Sequence, residues 1–293
     1  MIIQRTLYEI DNVRDESGFS FYCYMLDGGP VNVSLVPPHW HNELEIMFSR
    51  AQGILYINDE AFDIEDGDLF FINPRLIHRT YRISIGPMYH IVFDLNQLKI
   101  QPSENVFNRL IDDITEHKRK FPEKIARDSE LYRELLPAVL SMCEHSYQAV
   151  EFGYQSCHML SLLFSVMAAC YKADSFKTVN ESSLYGMRYV ARVMEYIDHN
   201  YQENISVPML AKKMNISETY LYRLFKDYAG LTPISYINSV RLRNAYRLLD
   251  EGKNVTETAV TVGIPNISYF IKLFKEATGQ TPSSWLKCKK DKS

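Results

Sequence analysis

The densest group of potential ligands in the chain is His39-Trp40-His41-Asn42-Glu43-Leu44-Glu45. In extended backbone successive side chains point to opposite faces, so His39, His41, Glu43 and Glu45 share one face. His78, which follows Gly67 and Pro74, is a further candidate. Imidazole and carboxylate together suit Fe, Mn, Ni or Zn. The same residues can instead line a polar pocket for a metal-free effector, or form a structural cluster at the mouth of a barrel. Eight histidines in 293 residues is no enrichment, so composition leaves all three readings open.

A second chemistry sits near the C-terminus. Residues 220–237 read YLYRLFKDYAGLTPISYI and residues 269–286 read YFIKLFKEATGQTPSSWL. Eight of these eighteen positions are identical at a constant offset of 49, which marks two similar supersecondary units. In the first, Ser206 can cap a helix through Met214, Asn215-Ile216 make a turn, and Ser217 caps a second helix. Leu221, Leu224, Phe225 and Tyr228 form one buried stripe. Thr219, Tyr222, Arg223 and Lys226 lie on the opposite face. In the second unit Asn266 is the cap. Phe270, Leu273, Phe274 and Ala277 face inward, while Ser268, Ile271, Lys272 and Lys275 face outward. Gly230 and Gly279 close the two second helices. Short helix, tight turn, helix is the helix-turn-helix pattern, in which cations on the outer face meet guanine edges or phosphates. Both copies place cations at equivalent points, Arg223 with Lys272 and Lys226 with Lys275.

These groups need elements to position them. Length suggests two domains, and 46% apolar with 23% charged residues excludes a disordered or collagen-like chain. Up to about residue 100 the chain reads as strands at Phe19–Leu26, Leu44–Ser49, Gly53–Ile57, Leu69–Ile72 and Tyr89–Phe93, the spacing of a sandwich or barrel. Residues 101–172 carry three helical patterns, around Val106–Ile114, Leu131–Cys143 and Met159–Met167, with no strand signal inside. The third is apolar around so much of its circumference that a sister subunit or the chain's own barrel must cover it. Residues 173–183 are polar and read as a linker. From 184 to 293 the chain is helical, and one helix over Ile234–Asp250 joins the two repeat units as a rod of roughly 25 Å.

Charge changes at that linker. Residues 184–293 hold 16 Lys+Arg against 10 Asp+Glu, a balance of +6, and the remainder carries −10. A basic back half suits an anionic partner. Cys23, Cys143, Cys157, Cys170 and Cys288 are odd in number and scattered without a C-x-x-C pair, which argues for a reducing compartment. No apolar stretch is long enough to span a membrane, so a cytoplasmic protein is expected.

On these residues the C-terminal part resembles the AraC-type transcriptional regulators. Each helix-turn-helix unit of that family closes with G-x-T-P, and here Gly230-Leu231-Thr232-Pro233 and Gly279-Gln280-Thr281-Pro282 do so. The second unit keeps Ala259, Val262-Gly263, Ser268-Tyr269-Phe270 and Phe274-Lys275. It departs at Thr258, Ile264, Lys272 and Trp285-Leu286. The resemblance covers residues 184–288. It implies base contacts from Thr219, Tyr222 and Arg223 in the first unit, and from Ile267, Ser268, Tyr269, Ile271 and Lys272 in the second.

The front part resembles the cupin pattern H-x-H-x3-E with a later P and H. That resemblance implies that His39, His41, Glu45 and His78 converge inside a barrel and can hold a divalent metal; Pro74-Arg75-Leu76 matches the second cupin motif only in part. AraC-type regulators often carry such a barrel as a small-molecule sensor. The expected fold is therefore α+β and multidomain: a cupin-like effector barrel over 1–100, a helical dimerisation region over 101–172, a linker over 173–183 and an all-α double helix-turn-helix domain over 184–293. The expected function is a non-enzymatic regulator that binds double-stranded DNA as a homodimer and responds to an effector, a sugar by family habit. The alternative is a metal-dependent cupin enzyme, a dioxygenase or isomerase, fused to a DNA-binding module.

Overall fold

A computed structural model describes residues 21–26, 31, 33–34, 39–58, 60–145, 152–179 and 181–290. Of the first expected strand, Phe19 and Ser20 lie outside the described residues. The strands are β1 (Phe21–Leu26), β2 (Val33–Ser34), β3 (Leu44–Ser49), β4 (Gly53–Ile57), β5 (Glu60–Ile64), β6 (Leu69–Ile72), β7 (His78–Arg82) and β8 (Met88–Phe93). After helix α1 (Val106–Thr115) come the short strands β9 (Arg119–Lys120) and β10 (Lys124–Ile125). Helices α2 (Glu130–His145) and α3 (Phe152–Lys172) follow, then β11 (Lys177–Thr178).

Two antiparallel sheets close over a common interior. One has the order β1-β8-β3-β6-β10 and the other β2-β7-β4-β5. β3 explains the layering, because all six of its residues are buried. Its alternation sends Leu44, Ile46 and Phe48 outward into a core shared with α1, α2 and α3. Met47 turns inward to meet Leu55, Ile57, Phe70 and Met88. Leu163, Val166, Met167 and Cys170 of α3 belong to the outer core. The chain's own sheet, rather than a sister subunit, therefore covers the apolar side of this helix. The short β9 and β10 were not expected, since two-residue strands carry no period; through β10 the large sheet extends beyond residue 100.

The segment expected as a linker is tied down at its start. β11 pairs with β9, Val179 N donates to Lys118 O at 2.9 Å, and Phe176 sits edge-on to Phe121 with ring centroids 4.9 Å apart. The helical domain opens with α4 (Glu181–Asn200). It continues with α5 (Val207–Lys213), α6 (Glu218–Ala229), α7 (Pro233–Asp250), α8 (Val255–Thr261), α9 (Ile267–Thr278) and α10 (Pro282–Lys290). Two cores stand side by side on α7. Tyr236, Ile237 and Val240 serve the first unit, and Leu242, Ala245, Tyr246 and Leu249 serve the second. Among the described residues no helix is long and apolar enough to cross a membrane. Cys157 and Cys170 are free thiols.

Candidate functional site

The expected ligand set converges. His39 forms an isolated antiparallel bridge with His78, the first residue of β7. His41 follows in the loop before β3, and Glu45 is the second residue of β3. All four side chains are buried, and one donor atom from each lies within 4.8 Å of the others. Glu45 is the hub. Its Oε2 is 3.0 Å from His41 Nε2 and 3.1 Å from His78 Nε2. Glu43, of the same parity, does not join; the chain turns there, and its half-buried carboxylate lies 3.7 Å from His41 Nδ1.

A fourth imidazole was missed by sequence reasoning. His90, third in β8, places Nδ1 2.6 Å from Glu45 Oε1, and Tyr24 stacks on its ring at 4.7 Å. The signal was available, since Met88, His90 and Val92 share a parity and all are buried.

The second contacts of the rings fix their protons. His41 Nδ1 lies 3.1 Å from Glu43 O, and His78 Nδ1 lies 3.0 Å from Leu76 O. A carbonyl only accepts, so both Nδ1 atoms carry hydrogen, and in a neutral ring the Nε2 lone pair faces Glu45. Two lone pairs against a carboxylate call for a positive charge between them. A proton meets this demand at His41. Burial pulls that imidazole down, but its hydrogen bond to Glu45 and the charges of Glu45 and Glu43 raise it above its ordinary value. Burial opposes the charge on Glu45, yet His78, His41 and His90 hold its carboxyl well below the carboxylate range. His39 is pushed far down by burial and by the neighbouring His78 and His41, which leaves it neutral.

A metal ion meets the same demand. Bonds of about 2.1 Å place neighbouring donors about 3.0 Å apart at the right angles of an octahedral shell and about 3.4 Å apart in a tetrahedral one, and the two Nε2–Oε2 separations are 3.0 and 3.1 Å. The nitrogen-rich donor set with one carboxylate suits first-row transition metals.

The second candidate site is the outer face of the helical domain. Ser217 accepts from Tyr220 N at 3.2 Å to open α6, and Asn266 accepts from Tyr269 N at 3.0 Å to open α9. Both helices end on a glycine in left-handed conformation, Gly230 at φ 62° and Gly279 at φ 76°. Thr219, Arg223 and Lys226 are exposed along α6, and Tyr222 is half-buried. Ser268, Tyr269, Lys272 and Lys275 are exposed along α9, while Ile267 and Ile271 are half-buried against the second core. The Arg223 guanidinium lies over the Tyr220 ring, 5.0 Å from its centroid. The Tyr269 hydroxyl accepts from Asn238 Nδ2 of α7 at 3.1 Å, which ties α9 to the rod. One inward assignment is corrected: Ala277 is exposed, whereas Tyr228 at the equivalent place of the first unit lies against Gly186 of α4.

Comparisons with known proteins bear on both sites. Residues 28–163 match the family model of the AraC-like ligand binding domain, and residues 210–287 match a helix-turn-helix domain. An uncharacterized HTH-type transcriptional regulator of Bacillus subtilis, YdeC, is 23% identical over 268 residues, 86% of either chain. The Msm operon regulatory protein of Streptococcus mutans is 26% identical over 240 residues, 81% of either chain. Among solved structures, ToxT from Vibrio cholerae aligns with a TM-score of 0.55 at 13% identity, over 92% of this chain and 97% of its own. ToxT has also been solved with an unsaturated fatty acid bound.

Proposed function

This chain belongs to the AraC family of transcriptional regulators, with a ligand-binding domain and a DNA-binding helix-turn-helix domain, and from that premise we propose that His39, His41, Glu45 and His78 are its effector site, with a divalent transition metal as the ligand they take up. The observation that carries this reading is the pinning of two Nδ1 atoms by backbone carbonyls, which aims both Nε2 atoms at the Glu45 carboxylate. Bound there, a metal supplies a fixed positive charge in place of a proton. A sugar would call for a wall of hydroxyl, amide and carboxylate partners around open space, and this end of the barrel offers imidazoles crowded on one carboxylate. The fatty acid of ToxT indicates that the fold admits other effectors; the donors here favour a cation.

On the DNA side, Thr219, Tyr222, Arg223 and Lys226 of α6 and Ile267, Ser268, Tyr269, Ile271, Lys272 and Lys275 of α9 are the proposed contacts. Arg and Lys meet guanine or phosphate, and Ile271 offers apolar contact to a thymine methyl. We read the chain as a regulator and not an enzyme, supported by relatives named as regulators. The reading extends to a cytoplasmic homodimer through α2 and α3, whose outer surface keeps Leu140 and Tyr171 exposed.

The metal content of protein grown in metal-replete medium tests the effector site. About one divalent ion per chain is expected, and His41→Ala loses it, since ligand removal opens the set. Absence of stoichiometric metal from the unaltered protein removes this reading.

A further inference from the structure

The segments that carry the cluster have two sides. His39 and His78 exchange both backbone hydrogen bonds, N to O at 3.1 and 2.9 Å, so the chain is extended at this bridge. Residues that alternate with the imidazoles therefore point away from the cluster. On one segment that residue is Trp40, between His39 and His41. On the other it is Ile77, immediately before His78. Both leave the barrel and enter the core of the first helix-turn-helix unit. Ile77, 3% exposed, packs in one cluster with Val190 and Met194 of α4, Leu221 of α6 and Tyr236 of α7, and Trp40 rests against it.

Trp40 also makes a polar connection. Its Nε1 donates to the Tyr236 hydroxyl. That hydroxyl donates to the Asp198 carboxylate of α4 at 2.9 Å, and Arg243 Nη2 of α7 donates to the same carboxylate at 3.2 Å. Tyr236 is wholly buried, so losing one partner would strand a polar group away from water. Such a network holds one arrangement firmly and changes by discrete steps.

We propose that the bridge between residues 39–41 and 76–78 is a relay, through which a metal ion in the cluster sets the position of the first helix-turn-helix unit. This rests on the metal reading and goes beyond it. The donors now lie within 4.8 Å of one another, whereas two donors of one ion, at bonds of about 2.1 Å, can be no more than about 4.2 Å apart. Binding therefore draws the widest pair inward by about 0.6 Å or more. The backbone of the bridge moves with its imidazoles and carries Trp40 and Ile77. They bear on Tyr236 of α7, the helix that joins both recognition helices, and on α4 through Asp198. A ligand therefore acts on the DNA-binding domain across single residues, with no intervening element.

The test uses the full chain stripped of metal by chelation, Zn2+ alone as the ligand, and a duplex that the protein itself selects from random sequence. Trp40 and Trp285 are the two tryptophans, so Trp285→Phe leaves Trp40 as sole reporter. Zn2+ is expected to shift Trp40 emission and to change affinity for the duplex at least about fivefold, the lower end of ordinary allosteric coupling. By reciprocity the duplex changes Zn2+ affinity by the same factor. Trp40→Phe and Tyr236→Phe, which keep an aromatic ring and remove the Trp40–Tyr236 hydrogen bond, should each retain Zn2+ binding while the coupling falls below about twofold. His41→Ala should abolish every response, and a response that survives it places the zinc elsewhere and overturns the relay. Zn2+ binding with unchanged emission and unchanged DNA affinity overturns the relay but leaves the metal reading standing. Full coupling in Trp40→Phe overturns it likewise. Failure of the stripped, unaltered protein to bind Zn2+ overturns the metal reading, and the relay with it.

Discussion

Tyr236 and Trp285 hold the same place in the two helix-turn-helix units, 49 residues apart, and end in different company. Each lies against the equivalent phenylalanine, Tyr236 tilted at 6.2 Å from Phe225 and Trp285 edge-on at 6.0 Å from Phe274. Trp285 then donates to Asp250, inside its own unit, at 3.3 Å. Tyr236 bonds outward, to Asp198 of α4 and to Trp40 of the barrel. Tyr228 and Ala277 differ in the same way. A Cβ added at Gly186 of α4 would lie 2.1 Å from the Tyr228 ring, so α4 rests directly on it, whereas Ala277 stays exposed. The repeat thus shares its internal frame, and two of its differences fall where the first unit meets α4 and Trp40; the second unit meets the barrel elsewhere, through α9 against β2. The first unit is tied to the barrel by the buried Trp40–Tyr236 hydrogen bond, whereas the second lies against β2 through α9 and is tied to α7 through Tyr269.

The largest way to break this comparison is to empty each core in turn. Phe225 and Phe274 are both fully buried, and a buried Phe→Ala costs about 3–5 kcal/mol. Phe225→Ala should loosen the first unit and release Trp40, shifting its fluorescence toward the red. Phe274→Ala should cost a similar amount in denaturant unfolding of the second unit and leave Trp40 emission where it was. Equal effects on Trp40 from both variants would show that the contact of α9 with β2 couples the second unit to Trp40 as tightly as the first.

Acid should separate the units next. His117 lies in the seam, in a recess lined by Arg75 on the barrel side and by Met187, Val190, Ala191 and Tyr228 opposite. Burial, with the charges of Arg75 and Arg188, lowers its imidazole to about 4. The unfolded chain takes up this proton near pH 6.5, and the folded chain only near 4. Stability from this residue is therefore complete above pH 6.5 and is lost as pH falls toward 4, to a total of about 3 kcal/mol. His117→Asn suits the left-handed backbone at this site, φ 62°. It should flatten the fall of the unfolding midpoint between pH 6.5 and 4.5. A slope identical to that of the unaltered protein would remove His117 from the acid response of the seam.

The contrast between the units also marks what the sequence makes legible. The helical domain is readable because caps, apolar periods and G-x-T-P closures are local signals. Ser206, Ser217 and Asn266 cap where expected, and α7 differs from the expected rod by one residue. In the barrel, β5 and β7 went unseen because their exposed faces are polar and their runs short. The four expected ligands converge, as motif spacing implied, but His90 needs the strand parity of β8. The contacts of Trp40 and Ile77 were not legible. Which side of a bridge faces another domain depends on docking between segments some 120 to 200 residues apart, and no local pattern encodes it.

A smaller effect sharpens the comparison at the DNA face. Arg223 is braced over Tyr220 and presents a planar fork that suits a guanine edge. Lys272, at the equivalent place, is an exposed ammonium 3.9 Å from Glu276. Arg223→Ala should therefore cost roughly 1–3 kcal/mol of specific binding and relax preference at one base pair. Lys272→Ala should cost less and blur preference less. A competition assay over single-base variants of the site reads both, and unchanged sequence preference in Arg223→Ala would remove it as a base reader.

The smallest expected effect asks whether both units touch DNA at all. Lys226 and Lys275 are exposed at equivalent turns of α6 and α9 and face the same side of their helices as the proposed base contacts. A lysine on a phosphate releases about one counterion, so its loss lowers the slope of log affinity against log salt by about one and weakens all sequences alike. α7, with 18 residues, is about 27 Å long. With part of a unit at each end, it spans the roughly 34 Å between successive major-groove faces on one side of the duplex. Lys226→Ala and Lys275→Ala should then each lower the slope by about one, and the double variant by about two. Inserting five base pairs between the two groove segments turns them to opposite faces, and the rod cannot follow. On that duplex the Lys275→Ala change should vanish while the Lys226→Ala change persists, if the first unit keeps its grip. A Lys275→Ala slope equal to that of the unaltered protein on the uninterrupted site would mean that α9 stands clear of DNA and that the first unit binds alone.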